Sequence, residues 1–474
     1  MITIGVDIGT TTITCVAWDF DKRAIVACQT VANLADITSE TDKKRGRSEW
    51  DAEQMVVGAI RCLRKTVDQL GDLSQSVAGV GITGQQHGVV ILDELRQPVT
   101  PLVNWQDRRG EESVDGERSY VQLARDELGE AAPQRMGCRI APGYMGLTLF
   151  WWQQRNELPR QGTSCFIVDY FAATLTGQPP HSDSTMGASS GLLNVAQRQW
   201  DREAIDALNL PAELFPPLSE PTTQLGKLTT SAAEETGLPA GTPIFVAMGD
   251  NQAAFVGSVG DPSRSLLINV GTGGQVAGRC DHFVYQAPLE TRPFPVSGNL
   301  LVNAGLCGGR SYAALERMFR LVGQQLYGIE SPPALFSRMN ELAEQIDSGS
   351  NGLICSPLFT GTRGEPHLRA SFSGADPENF TPAHLVRALL EGMVEVFHEG
   401  AIIIEAAAGK KYERLVGAGN GLRENQVLAD MLIKRLGRQF SLPQHREEAA
   451  VGASLVAGVG SGICADLADA GRQL

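Results

Sequence analysis

An aspartate set between a glycine and an amide, straight after an apolar run, has the makings of a general base. The stretch is Val246-Ala247-Met248-Gly249-Asp250-Asn251-Gln252. The run from Thr242 to Met248 reads as a strand, which puts Asp250 at a strand-to-helix turn. A carboxylate so placed can take the proton of an attacking hydroxyl. It could equally be a helix cap. The choice depends on what else converges on it.

Phosphate-binding chemistry is suggested twice. Ile2-Thr3-Ile4-Gly5-Val6-Asp7-Ile8 is followed by Gly9-Thr10-Thr11-Thr12 and a second β-branched run, Ile13 to Trp18. Leu266 to Val270 is followed in the same way by Gly271-Thr272-Gly273-Gly274 and Gln275-Val276. Glycines let backbone N–H groups approach phosphate oxygens, and threonine hydroxyls add donors. One such tip is compatible with a plain hairpin turn, whereas two at matched positions could clamp one polyphosphate. Asp7, just before the first tip, suits Mg²⁺ held through water, or simply a strand end.

Three further segments carry polar chemistry. Gly84-Gln85-Gln86-His87-Gly88 lies between two apolar strands, Val77 to Ile82 and Val89 to Leu92. Trp105-Gln106-Asp107 pairs an aromatic ring with a carboxylate. Both His87 and Trp105 are also compatible with plain core packing. Leu415-Val416-Gly417-Ala418-Gly419-Asn420-Gly421 reads as strand, glycine turn and helix, able to seat a nucleotide at the amides before the Asn425 helix. It is neither G-x-G-x-x-G nor a Walker loop.

The elements that must position these groups alternate between strand and helix, which indicates an α/β fold. From Trp50 to Leu70, Met55, Val56, Ile60, Leu63, Val67 and Leu70 keep helical spacing. Long helices are expected over His384 to Ala408, Asn425 to Leu436 and Ala449 to Val459. The Gly-Thr hairpin recurs after about half the chain, as two related domains would require. The boundary is expected at 257/258, giving domains 1–257 and 258–474.

A chain of 474 residues is too long for a single core. Its net charge of −14, without a lysine or arginine run, argues against a nucleic-acid partner. No apolar run approaches a membrane span. Nine scattered cysteines without a C-x-x-C pair, and an N-terminus lacking a signal-peptide pattern, predict reduced thiols and a cytoplasmic location. Cysteine and histidine show no zinc-ligand spacing.

In this order, the Asp-x-Gly-Thr opening, Gly84-Gln85-Gln86-His87-Gly88, Trp105-Gln106-Asp107-Arg108, Gly249-Asp250-Asn251-Gln252, the second Gly-Thr tip and the Gly417 turn resemble the FGGY carbohydrate kinases over essentially the whole chain. The resemblance implies two ribonuclease-H/actin-like domains with a catalytic cleft between them. It also implies transfer of the γ-phosphoryl of ATP, with Mg²⁺, to a sugar hydroxyl. Asp250 is implied as base, and Gln86, His87, Trp105, Asp107, Asp250 and Asn251 as sugar contacts. Thr10, Thr11, Thr12, Gly271, Thr272 and Gly273 are implied at the phosphates, and Gly417, Ala418, Gly419 and Asn425 on the adenosine side. Asp7, with Asp250, is implied at the metal.

Within the family, Trp105-Gln106-Asp107, Gly143 to Trp152 with Thr148 where much of the family has lysine, and Gly361-Thr362-Arg363 look more like the sedoheptulokinase branch than the xylulokinase branch. The expected acceptor is therefore a small-molecule ketose, sedoheptulose before a pentulose. A nucleotide switch of actin-like fold and a non-catalytic sugar sensor are the readings from other classes. The sequence is silent on oligomeric state, so a homodimer stays open.

Overall fold

The computed structural model describes residues 1–330, 334–362, 365 and 367–474; Arg363, in the Gly361-Thr362-Arg363 segment, lies outside the described residues. The chain forms two mixed sheets flanked by helices.

In the first half, β1 (Ile2–Ile8) and β2 (Thr12–Asp19) are the expected hairpin, with Ile8 opposite Ile13. β3 (Ala24–Ala32) continues antiparallel to β2. On its other side β1 runs parallel to β4 (Val77–Gly84). The sheet then extends through β5 (Gln224–Lys227) and β6 (Pro243–Phe245), in the order β5-β6-β4-β1-β2-β3, with β7 (Met248–Gly249) also paired to β4. The helix expected after Trp50 is α1 (Ala52–Leu70). Asp51 caps it by accepting from Gln54 N–H, and it buries Met55, Ala59, Cys62 and Leu63 against the sheet. Burying side chains of the size of Met55 and Leu63 contributes roughly 1.5–3 kcal/mol each.

The second half repeats the plan. β8 (Ser265–Val270) and β9 (Gly274–Cys280) form the hairpin, Val270 opposite Gly274. β10 (Glu290–Pro293) and β11 (Asn299–Leu306) extend it antiparallel, while β12 (Arg414–Ala418) and β13 (Gln439–Ser441) add parallel strands beyond β8. The order is β10-β11-β9-β8-β12-β13. In both halves a hairpin's first strand is flanked by a parallel strand, the ribonuclease-H-like arrangement expected of the chain.

Five further helices matter for the site. They are α2 (Ser184–Ser189), α3 (Asp250–Ser258), α4 (Gly309–Tyr327), α5 (Leu335–Glu344) and α6 (Pro382–Ala408). They are followed by α7 (Gln426–Leu436), capped by Asn425, and α8 (Glu448–Gly460).

A separate core joins the halves, containing Val16, Met248, Phe255, Leu267, Val416, Val451 and Leu455. Here α8 crosses α3 almost backbone to backbone. A Cβ on Gly452 would lie 1.9 Å from the Ala253 carbonyl oxygen, and one on Gly257 2.0 Å from that of Glu448. The helix that begins with Asp250 is thus locked to α8. Among the described residues no helix is long and apolar enough to cross a membrane.

Three sequence expectations shift in detail. The run Thr242 to Met248 is two short strands, β6 paired with β5 and β4, and β7 paired with β4 alone. The strand after His87, Val90–Leu92, pairs with Thr163–Cys165 outside the main sheet. The strand at Leu415 runs on through Gly417 and Ala418, and the turn begins only at Gly419, at φ 81°.

Candidate active site

Three adjacent parallel strands deliver the site. Thr83 on β4 is flanked by Asp7 on β1 and by Met248 on β7; one residue on, Gly84 lies between Ile8 and Gly249. Asp7, Gln85-Gln86-His87 and Asp250 therefore emerge together at the carboxyl ends of their strands, where open α/β sheets hold ligands.

Asp250 is the first residue of α3, behind Gly249 at the N-cap, and no side chain caps this helix end. The capping alternative is therefore not realised. Its carboxyl is partly buried. Burial pushes its pKa up to about 6, against the lowering pull of the Asn251 N–H and the Arg292 charge. Asp7 rises further, to about 7, through burial and the negative charge of Asp250. Two acids that repel each other in a cleft are a donor set a divalent cation would relieve, with phosphate oxygens and water completing its shell. Among the described residues no group of three or more His, Cys, Asp or Glu is placed to hold a metal by itself.

The approach to Asp250 is rigid. Asp183 Oδ1 accepts from Thr185 Oγ1–H at 2.8 Å, and Thr185 Oγ1 in turn accepts the Gly249 N–H at 2.8 Å. Gln86 Nε2 donates to the Thr185 carbonyl at 3.0 Å. A Cβ at position 249 would lie 2.2 Å from Gln86 Nε2, so a larger residue there would push the Gln86 amide aside. His87 sits at φ 75°, a left-handed conformation that costs a non-glycine residue about 1 kcal/mol or more. Three interactions hold it there: its N–H donates to Ser189 Oγ (3.0 Å), Nδ1 meets the Ser189 carbonyl (2.7 Å), and its ring stacks on Tyr144 at 4.2 Å. Because a carbonyl can only accept, Nδ1 carries the proton in this contact.

Gln86 and His87 line a narrow cavity with Tyr144, Thr185 and Ser189, closed on the far side by Glu290 and Arg292 of β10. Asn251 lies next to the base, and its buried Oδ1 has no hydrogen-bond partner among the described residues. Such an atom is costly unless a ligand satisfies it.

Trp105 and Asp107 behave differently from each other. The Trp105 ring is 46% exposed, and its Nε1–H donates to Thr10 Oγ1 at 2.9 Å, tying this loop to the first Gly-Thr tip. Asp107 is fully buried. Its Oδ1 accepts from Arg109 N–H and Nε at 2.8 Å, and its Oδ2 from Ser48 N–H at 2.8 Å and Arg109 Nη2 at 3.0 Å. The sugar-hydroxyl acceptor implied by the resemblance is thus already occupied, and in this geometry Asp107 braces the loop that presents Trp105.

A second cavity, of about 730 Å³, opens in the C-terminal half. Gly271 and Thr272 lie on its rim, and Tyr312, Phe336, Asn340, Met393 and Asn425 line it. Tyr312 stacks with Phe336 at 5.7 Å, and its hydroxyl donates to Asn340 Oδ1 at 2.5 Å. Aromatic walls with a few amides suit a nucleoside. The second tip is tied to the start of α4, as Gly309 N–H donates to the Gly271 carbonyl at 2.8 Å and Arg310 N–H to that of Thr272 at 3.0 Å. Thr11, Thr12, Thr272 and Gly273 are exposed at the two tips. Gly417 and Ala418, by contrast, lie inside β12 opposite Ile268 and Asn269, and Gly417 packs on Phe440. Asn420, Gly421 and Glu424 line the cavity in their place.

Sequence reasoning missed Thr185, Tyr144, Tyr312, Phe336, Glu290 and Arg292. Ser182-Asp183-Ser184-Thr185 does read as a helix N-cap, but nothing local in Glu290-Thr291-Arg292 marks it as facing a site some two hundred residues upstream.

Comparison with known proteins gives the same picture from outside. Residues 2–257 match the model of the FGGY family of carbohydrate kinases, N-terminal domain, and residues 315–461 that of its C-terminal domain. The chain is 25% identical to the autoinducer-2 kinase of Klebsiella pneumoniae, over 99% of this chain and 88% of that protein. It is 27% identical to the xylulose kinase of Lactococcus lactis, over 97% of this chain and 88% of the relative. The crystal structure of xylulose kinase from Rhodospirillum rubrum superposes with a TM-score of 0.88 at 22% identity, covering 100% of this chain and 92% of that one. With its N-terminal family domain alone spanning more than half of the chain, this protein belongs to the FGGY family of carbohydrate kinases and is an ATP-dependent sugar kinase, a phosphotransferase to an alcohol group.

Proposed function

We propose that the acceptor is the terminal hydroxyl of a ketose, with sedoheptulose as the leading substrate and Asp250 as the base. The observation that carries the mechanism is a carboxyl with a pKa of about 6, beside a cavity lined by Gln86 and His87. At neutral pH it is ionised, yet it is a stronger base than an ordinary aspartate. Asp250 takes the proton of the hydroxyl, whose oxygen bonds to the γ-phosphorus as the bond to ADP breaks.

Gln86, His87 and Asn251 Oδ1 orient the sugar. The Gly-Thr tips bind phosphate oxygens, and the Tyr312–Phe336 cavity with the Asn420–Asn425 turn takes the adenosine. Mg²⁺ held by Asp7 and Asp250 would neutralise phosphate charge. Closure of the cleft around the sugar would keep water from competing as nucleophile.

The sedoheptulose reading rests on Trp105-Gln106-Asp107 and on the segment Gly143 to Trp152. A second reading, xylulose, is favoured by the names of the relatives. An ATP-coupled assay with sedoheptulose, D-xylulose, L-xylulose, D-ribulose, autoinducer-2 and glycerol decides by kcat/KM. Sedoheptulose is expected to lead; a tenfold lead for any other acceptor replaces it, and ATP turnover that no acceptor stimulates removes the kinase mechanism.

A further inference from the structure

The wall of the acceptor cavity opposite Gln86 and His87 comes from the other half of the molecule. β10 is the edge strand of the C-terminal sheet, paired on one side with β11. Its other side is stitched to the N-terminal half. Thr291 N–H donates to the Gly137 carbonyl at 2.8 Å, and Gln252 Nε2 to the Pro293 carbonyl at 3.3 Å. Just beyond the strand, Arg198 Nη2 donates to the Phe294 carbonyl at 2.7 Å. An edge strand held in this way keeps its register with respect to the cleft.

Alternation along β10 puts Glu290 and Arg292 on one face, and both line the cavity. Arg292 donates to Glu290 Oε2 through Nη2 at 2.6 Å and Nε at 3.1 Å, and each side chain is only 13% exposed. Burying an ion pair is a poor route to stability, since apolar residues of the same size often do as well or better. In a cavity that Met136, Cys138 and Ala188 line beside Gln86, His87 and hydroxyl side chains, the only charged wall is this pair among the described residues, and it has a recognition use. The carboxylate accepts and the guanidinium donates, so neighbouring hydroxyls of one polyol can bond to both. Paired with Glu290 and already acting on the Asp250 carboxylate, Arg292 has little left for a further anion, and an anionic acceptor would also meet Asp250 and Asp7.

We propose that Glu290 and Arg292 form the specificity pair of the acceptor site, admitting neutral polyols and turning away sugars that bear a carboxylate. This rests on the ketose-kinase reading above and names the feature that sets its substrate class. Arg292 has a further, positioning effect, because it is the positive charge that acts on Asp250.

The experiment compares kcat/KM for the best neutral ketose with that for D-gluconate, in the parent protein and in Glu290→Gln, Arg292→Lys and Arg292→Gln. Thermal melting and ATP binding serve as checks of folding. In the parent, the ketose is expected to exceed gluconate at least 100-fold. Glu290→Gln leaves the guanidinium unpaired and is expected to narrow that ratio at least tenfold. Arg292→Gln is expected to lower kcat for the ketose at least tenfold, and Arg292→Lys to recover part of the loss. Folded Glu290→Gln and Arg292→Gln variants that keep the parent ratio and the ketose kcat within twofold overturn the proposal, as does a parent that prefers gluconate. Should Arg292→Gln not fold, Glu290→Gln and Arg292→Lys decide alone. A parent that phosphorylates no ketose fails the ketose reading itself, which is a different result from variants that match an active parent.

Discussion

Asp7 and Asp250 lie some 240 residues apart in sequence, yet they flank the same strand, and the charge of Asp250 helps hold the Asp7 carboxyl up to about 7. One ends a strand and the other begins a helix, so both carboxyls meet at the sheet's carboxyl edge. This repulsion is the local feature from which several expectations follow.

Asp250→Asn removes the proposed proton acceptor but keeps the shape. Its kcat/KM is expected to fall about 10³-fold, within the range for general-base loss, with ATP binding retained. A coupled assay and a nucleotide titration check both. A variant that keeps more than a tenth of the parent rate would show that another group takes the proton.

The pH profile follows from the direction of the shifts. As the proposed base, Asp250 has to be ionised, so kcat/KM for the ketose is expected to be level at alkaline pH and to fall tenfold per unit below about pH 6. With Asp7 raised to about 7, Mg²⁺ affinity is expected to weaken below neutrality, since the metal competes with a proton there. Rates measured over pH 5 to 9 at limiting and saturating Mg²⁺ separate the two effects.

Stability carries the opposite sign. Asp7 and Asp250 have folded values above the unfolded carboxylate, near 4. Their contribution is therefore fully present below about pH 4 and is lost as pH rises through 6 to 7. Asp7→Asn is thus expected to raise the melting temperature of the metal-free protein at pH 8, by on the order of 1–2 kcal/mol of stability, and to change little at pH 4. Equal shifts at both pH values would contradict this.

Phe336→Ala opens the aromatic wall of the 730 Å³ cavity. The KM for ATP is expected to rise roughly five- to twentyfold, the scale of about 1–2 kcal/mol for a stacking contact, while the KM for the ketose stays put. A change confined to the ketose would misassign the cavity.

Gly452→Val forces α8 away from α3, because even a Cβ would overlap the Ala253 carbonyl. A loss of about 3 kcal/mol or more is expected from the overpacking, measurable by urea unfolding, and kcat is expected to fall with it because α3 begins with Asp250.

Much of the plan was legible in the chain. Alternating and 3.6-residue apolar patterns give the hairpins at Gly9 and Gly271, α1, α6, α7 and α8, because these periodicities are local properties of strands and helices. The polar stretches at Asp250, Gln86, Trp105 and Gly271 stand out because they interrupt apolar runs. What local pattern cannot carry is adjacency. That Asp7 and Asp250 flank one strand depends on strand order. That Asp107 is occupied by Arg109 and Ser48 depends on a loop fold. That Gly417 ends inside a strand depends on where pairing with β8 stops. The sequence by itself determined the fold class and offered the candidate groups for proton transfer and phosphate binding. The tertiary structure alone decided which of them share a cavity, and it brought in Tyr312, Phe336, Glu290 and Arg292, because long-range pairing sets distances that spacing along the chain does not encode.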